Sequence, residues 1–205
     1  MRKFLFLAII LLTLTACSQE VETSTYEKIH EKLMSMESFS YNAEVKYISN
    51  KGETEYEVNI LGKSTGEYKM ETISPKSAEG SIILFDGKMI WQYNPKIDGK
   101  ISSESSDKQA RSEILISSFV ENYIKTKDGA VKSGSFDESK CTVLEAEING
   151  KSKIFSQEKL WVDNDTLIPI KLEIYDNEQK TRAVVVFKDF EYNPNIPENT
   201  FKKTF

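Results

Sequence analysis

The 205-residue chain predicts an α+β fold built on one large antiparallel sheet of about ten or eleven strands, with two helices packed on its concave side. Three observations predict it. Residues 160–192, LWVDNDTLIPIKLEIYDNEQKTRAVVVFKDFEY, read as three consecutive strands with both turns written in the sequence. Apolar and polar residues alternate with period two in the segments before it, from Tyr41 to Tyr47 and from Tyr56 to Ile60. The helical segments fall between runs of strands instead of alternating with each one, which argues against a parallel sheet, and a single antiparallel sheet this wide curls.

The chain opens with MRKFLFLAIILLTLTAC: Arg2 and Lys3, an apolar run from Phe4 to Leu14, then small residues before Cys17. That is the layout of an export signal, too short to serve as a permanent bilayer span, and the residues before Cys17 resemble a bacterial lipobox. Residues 1–16 are therefore expected to be removed as a lipoprotein signal peptide and Cys17 to be acylated. A two-chain anchor, at about 0.8 kcal/mol per buried methylene, holds a protein on a membrane where one chain would not. Residues 17–24 read as a polar tether and 25–205 as one domain.

Within that domain, residues 25–36 place Ile29, Leu33 and Met36 at helical spacing behind Thr25 as N-cap. A hairpin follows, turning at Asn50, Lys51 and Gly52, and residues 67–73 continue the meander. Strands at 81–85 and 88–93 flank Asp86 and Gly87, read as a type I′ turn. The second carries Met89, Trp91 and Tyr93 on one face. Residues 98–106, polar and Ser-rich, read as a loop. A second helix is expected over 108–125, with Leu115, Phe119 and Tyr123 in one row and Ile116, Val120 and Ile124 in the next. Further strands cover 129–136, 140–148, with a turn at Asn149 and Gly150, and 153–162. The tail from Asn193, with Pro194, Pro197 and Phe201, reads as an irregular segment at a sheet edge.

Composition narrows the function. Hydrophobic residues are 39% and aromatic ones 11%, enough for a sizeable core, while a net charge of −5 with Lys and Glu interspersed argues against nucleic acid as partner. A lone histidine, His30, cannot build a histidine-rich zinc site, and on the first helix it reads as a surface or packing residue. Asp163, Asn164 and Asp165 lack the Gly and the later Glu of an EF-hand loop and read as a turn. Paired carboxylates such as Glu55 and Glu57 fall on the wet face of a strand, and a Gly-rich phosphate loop is missing. No catalytic residue, metal ligand or cofactor is therefore assigned. Cys141 reads either as a buried strand residue or as half of an intermolecular disulfide. Tyr41, Tyr47, Trp91 and Tyr93 read either as core and cross-strand pairs or as aromatics facing a cavity or a partner.

Three segments carry a family resemblance. Phe85, Asp86, Gly87, Trp91, Gln92, Tyr93, Asn94 and Pro95 are similar to the D-G-x-x-x-W-x-Y-x-P hairpin of the LolA-like lipoprotein superfamily, which includes LolB, mycobacterial lipid-carrying lipoproteins and the regulator RseB. Leu160, Trp161, Val162, Asp163, Leu167, Ile168 and Pro169 are similar to its L-W-V-D-x-x-T-x-x-P segment, and residues 187–201 resemble its ending. The resemblance implies the LolA/LolB-like curled sheet. More narrowly the chain resembles clostridial spore germination lipoproteins. That likeness implies an anchored, non-catalytic partner of an exported zinc-dependent N-acetylmuramoyl-L-alanine amidase, which prepares cortex peptidoglycan for muramic-δ-lactam formation. The address implied is the outer face of a forespore or spore membrane. The alternative is a lipid or lipoprotein carrier or receptor of the LolA/LolB type. Long edge strands further suggest a homodimer formed by strand exchange.

Overall fold

The computed structural model describes residues 24–97, 99–104, 111–127, 129–148 and 154–203. The leader, Cys17, most of the tether and the Asn149–Gly150 turn lie outside the described residues. Eleven strands form one antiparallel sheet: β1 (Ser38–Ser49), β2 (Gly52–Lys63), β3 (Tyr68–Ser74), β4 (Ile82–Phe85), β5 (Met89–Asn94), β6 (Gly99–Glu104), β7 (Val131–Phe136), β8 (Ser139–Glu147), β9 (Gln157–Asp163), β10 (Pro169–Tyr175) and β11 (Thr181–Tyr192). Their spatial order is β6-β5-β4-β3-β2-β1-β11-β10-β9-β8-β7, so two meanders meet where the first strand pairs with the last, and the curled sheet stays unclosed between β6 and β7. Two helices, α1 (Thr25–Met34) and α2 (Ile116–Lys125), complete the α+β architecture.

Register follows from the alternation. Tyr41 pairs with Ile60, Ala43 with Val58 and Val45 with Tyr56; across the central seam Ala43 pairs with Phe187 and Val45 with Val185. These residues share one face with Leu172, Ile174, Leu160 and Leu144, and join Ile29, Leu33, Ile116 and Phe119 of the helices in one core. The helices thus pack inside the curl. Each such aliphatic or aromatic side chain contributes roughly 1.5–3 kcal/mol on burial, so a one-residue slip is strongly opposed. Along β10 the alternation holds at Leu172 and Ile174 but is offset by a bulge between Pro169 and Lys171.

Four local features differ from the sequence-based expectation. The N-cap of α1 is Ser24, whose hydroxyl accepts from the Glu27 N–H while Glu27 reaches back to the Ser24 N–H, a capping box that outcompetes Thr25. The Asp86–Gly87 hairpin has Gly87 alone at positive φ (+92°), with Asp86 Oδ1 accepting from the Lys88 and Met89 N–H groups. Its central pair is therefore Gly87–Lys88, a type II′ pattern in place of type I′. Most of the expected 98–106 loop is strand β6, paired with β5 from Asn94–Gly99 to Met89–Glu104. Helix α2 begins at Ile116, because Arg111 lies in the left-handed region (φ 56°) and Leu115 is extended; only a 3-10 turn, Ser112–Ile114, lies between them. Its stripe is narrower than expected, since Ile116 and Phe119 are buried and Ile124 is exposed.

Candidate functional site

At the β2–β5 end of the inner face the core opens into a groove of about 330 Å³, lined among others by Tyr56, Met70, Ile83, Gln92, Ile97 and Arg111. The sheet register builds its floor: Met70 faces Ile83 and Ile83 faces Gln92 across three neighbouring strands. Arg111 enters from the segment before the 3-10 turn, its guanidinium 4.4 Å from the Tyr56 ring centroid and 5.5 Å from that of Tyr47. Tyr47 donates its hydroxyl to Glu113 at 2.9 Å, and burial, then the Glu113 carboxylate, push its ionisation well above the usual tyrosine range. Tyr47 and Tyr56 meet edge to face.

The four aromatics singled out in the sequence divide between the two faces. Tyr41 lies deep in the core, stacked on Phe190 and edge-on to Phe187, with its hydroxyl donated to the Ile114 carbonyl at 3.2 Å. Tyr47 is on the same face, beside Arg111 and outside the groove lining. Trp91 and Tyr93 pair with Leu84 and Ile82, which puts them on the outer face of the sheet, although Tyr93 also borders the groove. Trp91 donates its indole N–H to Asp86 at 3.3 Å and carries the Lys203 ammonium 4.1 Å from its ring. The C-terminal segment, with Phe201 buried, therefore covers part of the outer face.

Three residues that matter were not singled out as functional. Tyr56 had a signal, the alternation that aligned it with Val58 and Ile60. Glu158 had one too, since it keeps step with Leu160 and Val162; it lies on the inner face between Ala146 and Ile174, 1% exposed, accepting from the Asn122 amide at 2.9 Å. Burial pushes its pKa up to about 8, against a smaller lowering by the Asn122 bond, so the carboxyl is protonated at neutral pH. Arg111 had none, because its neighbours come from distant strands. Cys141 is a free, buried thiol on β8. His30 is exposed, between the rings of Tyr26 and Tyr123 at 6.0 and 6.2 Å. Asp163 Oδ1 accepts from the Asp165 and Thr166 N–H groups, a closed turn. Among the described residues no group of three or more His, Cys, Asp or Glu could hold a metal ion, and no helix is long and apolar enough to cross a membrane.

An unclosed antiparallel curl with helices inside it and grooves at its surface defines a protein of the LolA-like fold. The family model of the sporulation protein YdcC-like proteins matches residues 1–201, and the chain belongs to that family. It is 19% identical to the sporulation protein YdcC of Bacillus subtilis (strain 168) over 191 residues, 93% of this chain and 56% of that protein, so it spans little more than half the length of that relative. Among solved structures it is similar to a chain in the CwlD amidase from Clostridioides difficile in complex with the GerS lipoprotein, at 32% identity and a TM-score of 0.50, covering 85% of this chain and 97% of that one. A LolA superfamily protein from Nitrosomonas europaea is also similar, at 20% identity and a TM-score of 0.46, covering 88% of this chain and 98% of that one.

Proposed function

We propose that this protein is an exported, lipid-anchored partner of a zinc-dependent N-acetylmuramoyl-L-alanine amidase that modifies spore cortex peptidoglycan during sporulation. Residues 1–16 are the removed signal, Cys17 carries the anchor, residues 17–24 tether the domain, and the metal and the catalysis belong to the amidase. The observation that carries this reading is the 32% identity to a chain from a complex of a lipoprotein with an amidase, over 97% of that chain. An assistant of this kind acts by binding the competent form of its partner more tightly than the other form; a hundredfold preference is worth about 2.7 kcal/mol. The interior of the curl supports partnership over carriage: Phe39, Tyr41, Tyr68 and Phe119 fill it as fully buried side chains, leaving little room for a long acyl chain. A homodimer formed through the edge strands β6 or β7 is compatible with this role.

The test is capture of the tagged full chain from sporulating cells. An amidase eluting with it supports the reading, and its absence under conditions that keep the tagged chain intact counts against it. Extraction of the purified protein with organic solvent checks the carrier alternative, which a stoichiometric bound lipid would favour.

A further inference from the structure

Among the described residues the groove at the β2–β5 end has one charged lining residue, Arg111, set against an apolar floor of Met70 and Ile83. None of the ion pairs among the described residues involves it. The nearby Glu113 carboxylate accepts from Tyr47 and does not line the groove. The guanidinium is held by the Tyr47 and Tyr56 rings, and its planar fork of N–H donors meets no carboxylate among the described residues. Ser81, lining the same groove, holds the one buried side-chain oxygen among the described residues that lacks a hydrogen-bond partner. On the rim, Ile97 is 71% exposed. A positioned guanidinium, an unpartnered hydroxyl and apolar surface on both sides are complementary to a carboxylate carried beside an apolar group. The floor crosses three strands, roughly 10 Å, the reach of about three extended residues. The side chains behind it, Tyr68, Phe85 and Ile90, are buried core and close off a deeper channel.

We propose that this groove takes an extended peptide segment of the partner protein, seating one Asp or Glu side chain on Arg111 and a neighbouring apolar side chain on Met70, Ile83 and Ile97. This rests on the partner reading above for the source of the peptide, and on the groove alone for its chemistry. The experiment compares the full chain with Arg111→Gln, Arg111→Lys and the rim variant Ile97→Ser in two assays. In the first, retention of the amidase falls roughly tenfold or more for Arg111→Gln, less for Arg111→Lys, and also for Ile97→Ser, whose exposed position leaves folding untouched. In the second, the peptide Ac-Leu-Glu-Leu-Gly-NH2 binds the full chain, its Gln counterpart binds more weakly, and Arg111→Gln erases the difference. Equal retention of the amidase by the full chain and all three variants overturns this inference and leaves the partner reading standing. No amidase retained, with Arg111-dependent binding of the Glu peptide, overturns the partner reading and supports the groove. Failure of both assays overturns both.

Discussion

Replacing Glu158 by Gln should remove a pH dependence that is built into the core. The folded state holds the Glu158 proton up to about pH 8, against an ordinary value of 4.5, because the carboxyl is buried under α2 with only the Asn122 amide bonded to it. Burial is the only unfavourable influence on the ionised form, with no neighbouring charge contributing. Between those two values the unfolded chain releases a proton that the folded chain keeps, so stability falls as pH rises through this window and levels off above about 8. The slope is about 1.4 kcal/mol per pH unit, so from pH 6 to pH 8 the wild type loses roughly 2–3 kcal/mol relative to Glu158→Gln, which has nothing to titrate there. In a domain of this size each kcal/mol moves the melting temperature by about 2–4 °C. Thermal melts of both proteins at pH 5, 6, 7 and 8 should therefore diverge by roughly 5–10 °C between pH 6 and 8, with the variant the more stable at the alkaline end. Parallel curves across that range would show that Glu158 keeps no proton in the folded state that the unfolded chain releases.

Other perturbations test the packing and the address. Phe119→Ala removes a fully buried ring that stacks on Tyr123 at 5.8 Å and should cost about 3–5 kcal/mol in urea unfolding. Gly62→Ala would put a Cβ 2.3 Å from Cζ of Phe39, and the displaced ring should cost about 1–3 kcal/mol, visible as a lower denaturation midpoint. Cys17→Ser should move the protein from the membrane to the soluble fraction; unchanged fractionation would show that Cys17 carries no lipid.

The sheet was legible because nearly every strand buries one face, and alternation reports that directly. Strand β6 was not, since an edge strand with one neighbour is held by its backbone pairing with β5 and its sequence, GKISSE, carries no apolar row. Alternation also put Trp91 and Tyr93 together correctly but could not say on which side of the sheet. Both faces of β4 and β5 are partly covered, one by the core and the other by the segment carrying Phe201 and Lys203, so hydrophobicity alone does not tell inside from outside. The groove was the least legible part. Tyr47, Tyr56 and Arg111 are brought together by the curl and by a left-handed backbone at Arg111, and neither leaves a mark on local periodicity.

Incubating spore cortex peptidoglycan with the purified full chain, with the amidase, and with both separates contact from turnover. A non-catalytic partner releases no stem peptide when incubated alone and makes release by the mixture faster than release by the amidase alone. Release by the chain alone would show that it turns over substrate itself and would overturn the partner proposal.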